Sequence, residues 1–598
     1  MKLNIREFFI WKIVIISLFI VTSTEILSFL NSINTLSIRI FWGFLILTSI
    51  VITLFFKKNL FFLKEVNILK NNFNFELIFI LIILTLTFIN SLIYPPNTLD
   101  AMSYHLPKVM HWIQNSNIDF YPTDDLRQLI LAPFSEFVIL HLYLIFGSDI
   151  FSNFVQWYSM FICMITISLI SKELGCNSKF QIFTVLFCST LPMGILQSTS
   201  TQTDYLTAMW LAIMVFFLIK YLKSNYFVNL FGFALTLALA ILTKGTTYIF
   251  ALSFCIWISL YVLLKKKNHF KYLFIIPIIV LIFNFGHLSR NINFTGNPLG
   301  VSSESPSWLN KSFNLKSFTS NFVRNIGLNL SIPSEKINNN TAKQITLFLN
   351  KFNISTKDPN TTKIPHRGYY IPFSFYESTA PNTLHFLLII FTVIFFLINK
   401  QLNTIQKNYF YSVIFGFLFF SFLLIWTAQH NRLLLTFFIL SSPLVAIFLL
   451  NLKMSKIKKI ISIFLIVYSV PYILFNKTRP LAAELTLVNG VPKLYLPNYL
   501  KEEKNEMYFI ADKIYNKRNL FDYYNQSAKI IKSKNCKRIG FDSAGTNIEY
   551  PLWVILKEHY ESTKFKLYNI NINNKSAIIS TDNINLCAEI YVNEIKIY

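Results

Sequence analysis

The fold is decided by LIFILIILTLTFINSLIY (residues 77–94) and the segment that follows it, PPNTLDAMSYHLPKVMHWIQ (95–114). The first run is apolar and has about the 20 residues that a helix needs to cross a bilayer. The second run brings a carboxylate, two histidines, a lysine and a tryptophan together directly after the membrane. An acidic residue at this point is either solvated and inert, or directed at something bound at the membrane surface. The stretch therefore predicts a membrane helix that ends at a candidate functional site.

Apolar runs of this length recur along the chain, which has 598 residues, is 54% hydrophobic and has a mean hydropathy of +0.48. A soluble fold cannot bury so many of them, so we predict an all-α polytopic membrane protein. The N-terminal run is too long for the apolar core of a signal peptide, and we expect a retained anchor. About thirteen spans are predicted, at residues 8–30, 36–56, 75–94, 150–171, 181–199, 204–222, 226–243, 246–264, 272–288, 384–399, 409–427, 432–451 and 460–475.

The formal net charge of +25 comes mainly from lysines in short loops between these runs, so it does not indicate a nucleic-acid partner. When residues 133–147 are kept out of the membrane, nearly every short basic loop falls on one side of it. The positive-inside rule then places the N-terminus in the cytoplasm and the C-terminus outside. We expect membrane lipids, but no nucleic acid, among the partners.

Residues 101–114 and 133–147 then become two juxtamembrane helices on the outer surface. In the first of them the apolar side chains form one stripe, while Tyr104, Lys108 and His111 lie on another face. That separation is typical of a helix that lies in the membrane interface.

The chain divides into three parts. Residues 1–74 form an extra N-terminal transmembrane hairpin and a cytoplasmic loop. Residues 75–475 form the transmembrane catalytic module, with outer loops at 95–149 and 289–383, the second of them long and polar. Residues 476–598 are expected to form a small extracytoplasmic α/β domain.

Within that domain the pattern predicts strands at 538–541, 577–580 and 590–592, and a helix from Tyr550 to Tyr560. Cys536 and Cys587 lie in the same domain and could pair if it faces an oxidising compartment. The spacing leaves that pairing open.

Ionisable side chains collect at the outer ends of the predicted spans. They are Asp100, Asp204, Lys244, Arg290 and Arg432. Charges at membrane depth are costly and tend to face a cavity, a partner or a pathway. Several cations with one or two carboxylates suit an anionic lipid head group beside a hydroxyl that loses its proton. Transfer of a sugar from a lipid phosphate needs this set: cations stabilise the leaving phosphate, and one carboxylate acts as general base. A glycoside hydrolase would instead need two opposed carboxylates.

Each of these residues also has a simpler interpretation. Asp100 could be a solvated helix cap, Asp204 could cap the span that follows it, and Lys244 and Arg432 could extend to lipid head groups. His105 and His111 could orient a substrate or only occupy the interface, and Glu136 is an isolated carboxylate in an apolar surface helix. No zinc-ligand spacing and no Gly-rich phosphate loop is evident in the sequence, so no cofactor is required, and a divalent metal is possible but unsupported.

The order of these features resembles the GT-C superfamily of integral-membrane glycosyltransferases. The likeness is to its family-39/83-like branch, which includes protein O-mannosyltransferases, aminoarabinose lipid A transferases and rhizobial galacturonosyltransferases. It rests on Asp100 in the first large outer loop, the two surface helices, Leu191-Pro192 with Asp204, Thr243-Lys244-Gly245 and the Arg432 element. Residues 104–114 and 476–481 are similar to a group of bacterial members, and the likeness covers about residues 75–481.

The resemblance implies an inverting hexosyl- or pentosyltransferase of a bacterial inner membrane. It would move a sugar from a polyprenyl-phosphate donor to a hydroxyl of a glycan, lipid or protein acceptor on the extracytoplasmic face. Asp100 would be the general base, and Lys244, Arg432 and Arg290 would bind the donor phosphate. Asp204, His105, Glu136 and His111 would contact or orient substrates. The sequence departs from many relatives because no second acidic residue adjoins Asp100, which puts a metal-assisted mechanism in doubt.

Two other functions stay open at this point. A polysaccharide polymerase or ligase of related build would use a diphosphate-linked donor and would favour additional arginines in the outer loops. A transporter or flippase of lipid-linked sugar would place ionisable residues at mid-membrane and would repeat its halves with interrupted helices.

Overall fold

The chain folds as a helical bundle that carries a small mixed domain at its C-terminal end. The computed structural model describes residues 4–55, 74–304, 308–452, 455–488, 491–543, 548–560, 565–579, 585–591 and 594–598. The first helices are α1 (Ile5–Phe29), α2 (Thr35–Phe55), α3 (Phe75–Ile93), a π-helical turn (Ala101–His105), α4 (Leu106–Asn115), α5 (Arg127–Ile130) and α6 (Phe134–Phe146). The next are α7 (Phe154–Glu173), α8 (Ser178–Ser189), α9 (Pro192–Ser198), α10 (Asp204–Ser224), α11 (Phe227–Ile241), α12 (Thr246–Lys265), α13 (Phe270–Leu273) and α14 (Ile275–Thr295). The rest of the bundle comprises α15 (Leu315–Leu328), α16 (Glu335–Lys351), α17 (Thr383–Ile398), α18 (Thr404–Leu423), α19 (His430–Leu433), α20 (Leu435–Asn451) and α21 (Ser455–Leu474).

The helical membrane architecture expected from the apolar runs is confirmed. Within the described residues, seven helices are long and apolar enough to cross a membrane: α1, α3, α7, α10, α12, the segment Lys267–Thr295 and α21. The pair α8 and α9, bent by 69° at Leu191-Pro192, makes an eighth if it counts as one span. Every predicted span coincides with a helix or with this bent pair, although several ends differ, and residue 56 lies outside the described residues. The total of thirteen stays a prediction.

Helix α10 lies at the centre of the bundle. Of the 18 residues in its most apolar stretch, 94% are buried, because α7, α11, α12 and α20 pack around the helix. A helix that is apolar all round needs such surroundings. The acidic residue at its first position, Asp204, is therefore held at the end of a helix that is buried along nearly its whole length.

The N-terminal hairpin is integrated into this bundle. Helix α1 packs against α6, α7, α11 and α14. Polar contacts fix it at both ends, with Glu7 paired to Lys220 at 2.9 Å and Glu25 to Arg290 at 2.7 Å. The hairpin therefore braces the surface segment that follows α3.

The first predicted surface helix exists, but its surroundings differ from the prediction. The π turn and α4 together cover residues 101–115, and Pro107 lies in the first turn of α4, where its missing N–H costs little. The expected polar face is not exposed: Tyr104, Lys108 and His111 are all buried. The C-terminal domain covers this face, because its helix at residues 550–559 packs on both the π turn and α4. The interpretation as an exposed interfacial helix is therefore wrong for that face.

The loop at 289–383 is more ordered than its polar composition suggests. Helix α14 extends to Thr295, and the loop contains α15 and α16. Fully buried Arg324 donates hydrogen bonds to the Thr361 and Thr356 carbonyls and to the Thr362 hydroxyl. These bonds fix the segment around residue 363 against the bundle.

The C-terminal region is the expected small α/β domain. Its elements are β1 (Glu484–Val488), β2 (Val491–Tyr495), α22 (Lys504–Met507), α23 (Ile510–Tyr515), α24 (Leu520–Ser533), β3 (Arg538–Phe541), α25 (Tyr550–His559), β4 (Lys566–Asn569), β5 (Ala588–Ile590) and β6 (Ile595–Ile597). One sheet has the order β4-β3-β5-β6, parallel except for β6, and β1 and β2 form a separate hairpin. A disulfide joins Cys536 to Cys587, next to β3 and β5.

Two predicted elements of this domain need correction. The strand expected at 577–580 is wrong, because Lys575–Ile579 forms a 3-10 helix; Ser576 is buried and donates a hydrogen bond to the Thr123 carbonyl. The strand expected at 590–592 is β5, which ends at Ile590. Residues 580 and 592 lie outside the described residues.

Candidate active site

Asp100 is positioned by a short, irregular turn after α3. The Thr98 hydroxyl accepts a hydrogen bond from the Ala101 backbone N–H at 3.1 Å, and the π turn that follows has its Leu106 N–H bonded to the Ala101 carbonyl. A π turn brings residues five apart onto the same side of the helix, whereas an α-helix does so for residues four apart. Asp100, Tyr104 and His105 therefore lie on one side of this segment.

The Asp100 carboxylate is held by two arginines. Arg432 Nη1 donates to Oδ2 at 2.8 Å, and Arg127 Nη1 lies 3.8 Å from Oδ1. Burial raises the pKa of Asp100, but the positive charges of Arg432 and Arg127 lower it by more, and the net pKa lies well below the usual range. The side chain is 22% exposed, so this carboxylate is both ionised and accessible.

Asp204 and Lys244 join the same group. Lys244 Nζ donates to Asp204 Oδ1 at 2.6 Å, and Arg432 Nε lies 3.6 Å from Asp204 Oδ2. Arg432 therefore bridges the two carboxylates. Burial lowers the pKa of Lys244, although Asp204 opposes that shift. We refer to Asp100, Asp204, Lys244 and Arg432 as the carboxylate–cation cluster.

Two further cations border this cluster, and the sequence did not indicate either of them. Arg127 lies over the Tyr104 ring, 4.5 Å from its centre, and pairs with Asp125 at 2.6 Å. Lys363 lies 3.2 Å from the centre of the Trp308 ring. Burial and the charge of Arg127 lower the pKa of Lys363 to about 8. Arg127 begins the four-residue helix α5 and Lys363 lies in a loop, and sequence spacing indicates the position of neither.

The immediate surroundings of the two carboxylates favour an anionic ligand. Arg127, Lys244, Lys363 and Arg432 are four cations, against three carboxylates at 100, 125 and 204. No group of three or more His, Cys, Asp or Glu side chains that could hold a metal occurs in the described part of the chain. Each carboxylate of the cluster instead faces a cationic side chain. The need for a metal therefore stays as the sequence left it, possible but unsupported.

The other predicted site residues separate into two groups. His105 and Glu136 form a buried pair, with Nδ1 to Oε1 at 2.7 Å, next to the Asp100 turn. Arg290 and His111 are engaged elsewhere: Arg290 forms a bidentate pair with Glu25, and His111 binds Glu549 of the C-terminal domain at 2.6 Å. Arg290 is therefore not a member of the cluster in this structure.

A second ionic group contacts the chain three residues before Asp100. Arg479 donates to Asn97 Oδ1 at 2.7 Å and lies 3.4 Å from Glu377, whose other contact is the Thr478 hydroxyl at 2.9 Å. The Asn97 amide in turn donates to the Thr478 carbonyl. All four side chains are fully buried, and we refer to them as the buried latch. The sequence of segment 476–481 shows only a likeness to bacterial proteins, and the structure shows that two of its residues, Thr478 and Arg479, form this buried contact.

No protein-family model matches the sequence, and no curated protein matches it. Among solved structures, the chain is similar to the crystal structure of ArnT from Cupriavidus metallidurans bound to undecaprenyl phosphate, with 10% sequence identity and a TM-score of 0.47. The similarity covers 84% of this chain and 87% of that chain. We therefore assign roles to residues from the geometry of this chain alone.

Proposed function

We propose that this protein is a GT-C-like membrane glycosyltransferase. It moves a hexosyl or pentosyl group from a polyprenyl-phosphate donor to the hydroxyl of a glycan, lipid or protein acceptor, with inversion. The observation that carries this proposal is the carboxylate–cation cluster: a partly exposed, ionised carboxylate surrounded by more cations than carboxylates, at the end of a membrane helix bundle. A lipid phosphate and an acceptor hydroxyl are ligands that such a site recognises.

Arg432 and Lys244 bind the donor phosphate in this proposal. As the bond between the anomeric carbon and the phosphate oxygen breaks, its electron pair stays on that oxygen. Charge-assisted hydrogen bonds from cations are strongest to such an oxyanion, particularly where water is largely excluded. Removal of one such donor typically slows an enzyme ~10²–10³-fold.

Asp100 is the general base for the acceptor hydroxyl. In the structure its carboxylate is engaged by Arg432, which makes it a weak base. A donor phosphate competes for the same guanidinium and so releases the carboxylate to face the acceptor. Base strength therefore rises when the donor is bound, and general-base catalysis of this kind contributes ~10²–10⁴-fold.

The proposed location is a bacterial inner membrane, with the N-terminus in the cytoplasm and the C-terminal domain outside. The disulfide between Cys536 and Cys587 supports this orientation, because such bonds persist in oxidising compartments.

The experiment is sugar transfer by purified protein from a panel of synthetic polyprenyl-phosphate sugars to an alkyl glycoside, with and without EDTA. Asp100→Asn is tested beside the parent. We expect transfer by the parent, at least about a hundredfold less by the variant, and unchanged donor binding. Equal rates would remove Asp100 from the mechanism, and donor binding with no transfer would favour a lipid-linked-sugar transporter.

A diphosphate-linked donor is the second candidate, as in a polysaccharide polymerase or ligase. The observation that favours it is the presence of Arg127 and Lys363 beside the cluster, since a second phosphate needs additional cations. A panel that includes polyprenyl-diphosphate sugars separates the two donors by their kcat/KM.

A further inference from the structure

Two histidine–glutamate pairs lie on the segment that follows Asp100, and only one has a clear structural explanation. His111 pairs with Glu549, and His105 pairs with Glu136. Both pairs are buried and have similar lengths, 2.6 and 2.7 Å. They face different parts of the protein, since Glu549 belongs to the C-terminal domain and Glu136 to α6.

The His111 pair is complete. Glu549 accepts hydrogen bonds from the Trp553 indole and from the Gln128 amide in addition to the histidine. The His111 ring stacks on Tyr121. Every polar atom of this carboxylate is satisfied, as expected of a contact that fastens one domain to another.

In the His105 pair, each of the two residues has a polar atom without a hydrogen-bond partner in the described part of the chain. Glu136 Oε2 is buried and has no hydrogen-bond partner among the described residues. The pKa of Glu136 is raised by burial but lowered by more by Lys108 and His105, so the carboxylate is ionised. An ionised carboxylate only accepts hydrogen bonds, so Nδ1 of His105 carries the proton and donates it to Glu136. Nε2 then holds a lone pair, and no group in the described part of the chain donates to it.

The π turn places His105 beside Asp100. Because the turn stacks residues five apart, His105 lies one turn from Asp100 on the same side of the segment. The two side chains are close enough to interact electrostatically. A histidine fixed at one nitrogen by a carboxylate, with its other nitrogen free to accept a proton, is the arrangement that general-base histidines use.

We propose that His105 is the final acceptor of the proton that the acceptor hydroxyl loses, which it receives from Asp100. Glu136 positions the His105 ring. The acceptor O–H bond breaks, and its electron pair forms the bond to the anomeric carbon. The bond from that carbon to the phosphate oxygen breaks with its pair on the phosphate. Asp100 takes the proton first and passes it to Nε2, where Glu136 stabilises the imidazolium until the proton leaves to water. This inference rests on the function proposed above.

The ionisable groups around His105 come from its own turn and from the elements packed on it. They are Asp100, Tyr104, Lys108, Arg127, Glu136 and Glu549. Arg127 is turned to Tyr104, Lys108 to the Leu131 carbonyl and Glu549 to His111. Of these groups, Glu136 is the one that pairs with the imidazole directly.

The test is the pH profile of kcat/KM for transfer from a polyprenyl-phosphate sugar to an alkyl glycoside. In the parent we expect the rate to fall as pH falls through the range in which imidazoles titrate, about pH 8 to 5. We call this decrease the acidic limb of the profile. The limb should be absent in His105→Gln, and kcat should fall ~10–100-fold. Glu136→Gln, nearly isosteric, should move the limb to lower pH, because the imidazolium loses its carboxylate.

His111→Gln is the matched control, since it breaks the same kind of pair on the same segment. We expect it to lower the melting temperature while the acidic limb stays as in the parent. The inference is overturned if His105→Gln keeps both rate and limb while Asp100→Asn is impaired, or if His111→Gln loses the limb equally. A parent that transfers from no donor overturns the proposed function and this inference with it.

Discussion

The carboxylate–cation cluster and the buried latch contain similar pairs of acidic and basic side chains, yet they differ in access. In the cluster the side chains of Asp100 and Lys244 are 22% and 20% exposed, and those of Arg432 and Asp204 are 10% and 4% exposed. In the latch Arg479 and Glu377 are fully buried. The two groups are adjacent, because Asn97 of the latch lies only three residues before Asp100.

The difference indicates a division of labour. A buried ion pair gains little net free energy, but removing one partner is costly because the other charge is left uncompensated. The latch therefore fixes the Asp100 turn against the loop at 377 and the segment at 478–479. The partly exposed cluster can exchange protein partners for a ligand at Asp100 and Lys244 while the fold stays intact. One group holds the geometry and the other is free to react.

The largest effect that would sharpen this comparison is on stability. Arg479→Gln should lower the free energy of unfolding by about 3–5 kcal/mol, because Glu377 keeps its buried charge without a partner. The measurement is thermal unfolding of the purified protein in detergent. The double variant Arg479→Gln/Glu377→Gln should recover part of the loss.

Arg290→Gln is the matched control for that experiment. Arg290 and Glu25 also form a close pair, but the two side chains are 17% and 30% exposed. Partly exposed pairs contribute about 0–1 kcal/mol. A loss for Arg290→Gln as large as that for Arg479→Gln would show that burial is not what separates the two groups.

The next effect is on catalysis. Arg432→Gln should reduce transfer ~10²–10³-fold, since one charged donor to the leaving phosphate is lost. The melting temperature should change far less than in Arg479→Gln, because Asp204 keeps Lys244 and Asp100 keeps Arg127 as cationic partners. The two quantities are compared in the same preparation, by transfer kinetics and by thermal unfolding. Transfer within threefold of the parent would contradict the role of Arg432 in donor binding.

The part of the site that was predictable from the sequence lies at the ends of apolar runs. Asp100, Asp204, Lys244 and Arg432 each lie at or close to the end of a predicted span, and charge patterning placed those ends on one side. The helix bundle then brings the ends together, as the structure shows for all four. The positions of the membrane helices were predictable for a related reason: the length and hydropathy of an apolar run are local properties of the sequence.

The rest of the site depends on contacts between distant segments, which no local pattern carries. Glu377 meets Arg479 across about a hundred residues, and Arg127 reaches Asp100 from the short helix α5. The buried polar face of α4 is also of this kind: its sequence is amphipathic, and only the docked C-terminal domain makes it interior. The pairing of Arg290 with Glu25 is another example, because a position at a span end does not reveal a partner on α1. Its role in donor binding stays a prediction.

The smallest effect concerns the edge of the cluster, where Lys363 gives it a pH dependence that the latch lacks. The pKa of Lys363 is lowered to about 8, so the side chain is a cation below that pH and neutral above it. A donor phosphate binds the cationic form more tightly, so donor affinity should fall a few-fold as pH rises through about 8. Lys363→Arg keeps the charge and should bind the donor equally at pH 7 and pH 9, whereas Lys363→Met should bind more weakly at both. The measurement is the Kd of a polyprenyl-phosphate sugar across this range. If Lys363→Arg retains the decrease, the pH dependence comes from another cation, of which Lys244 is the nearest candidate in the cluster.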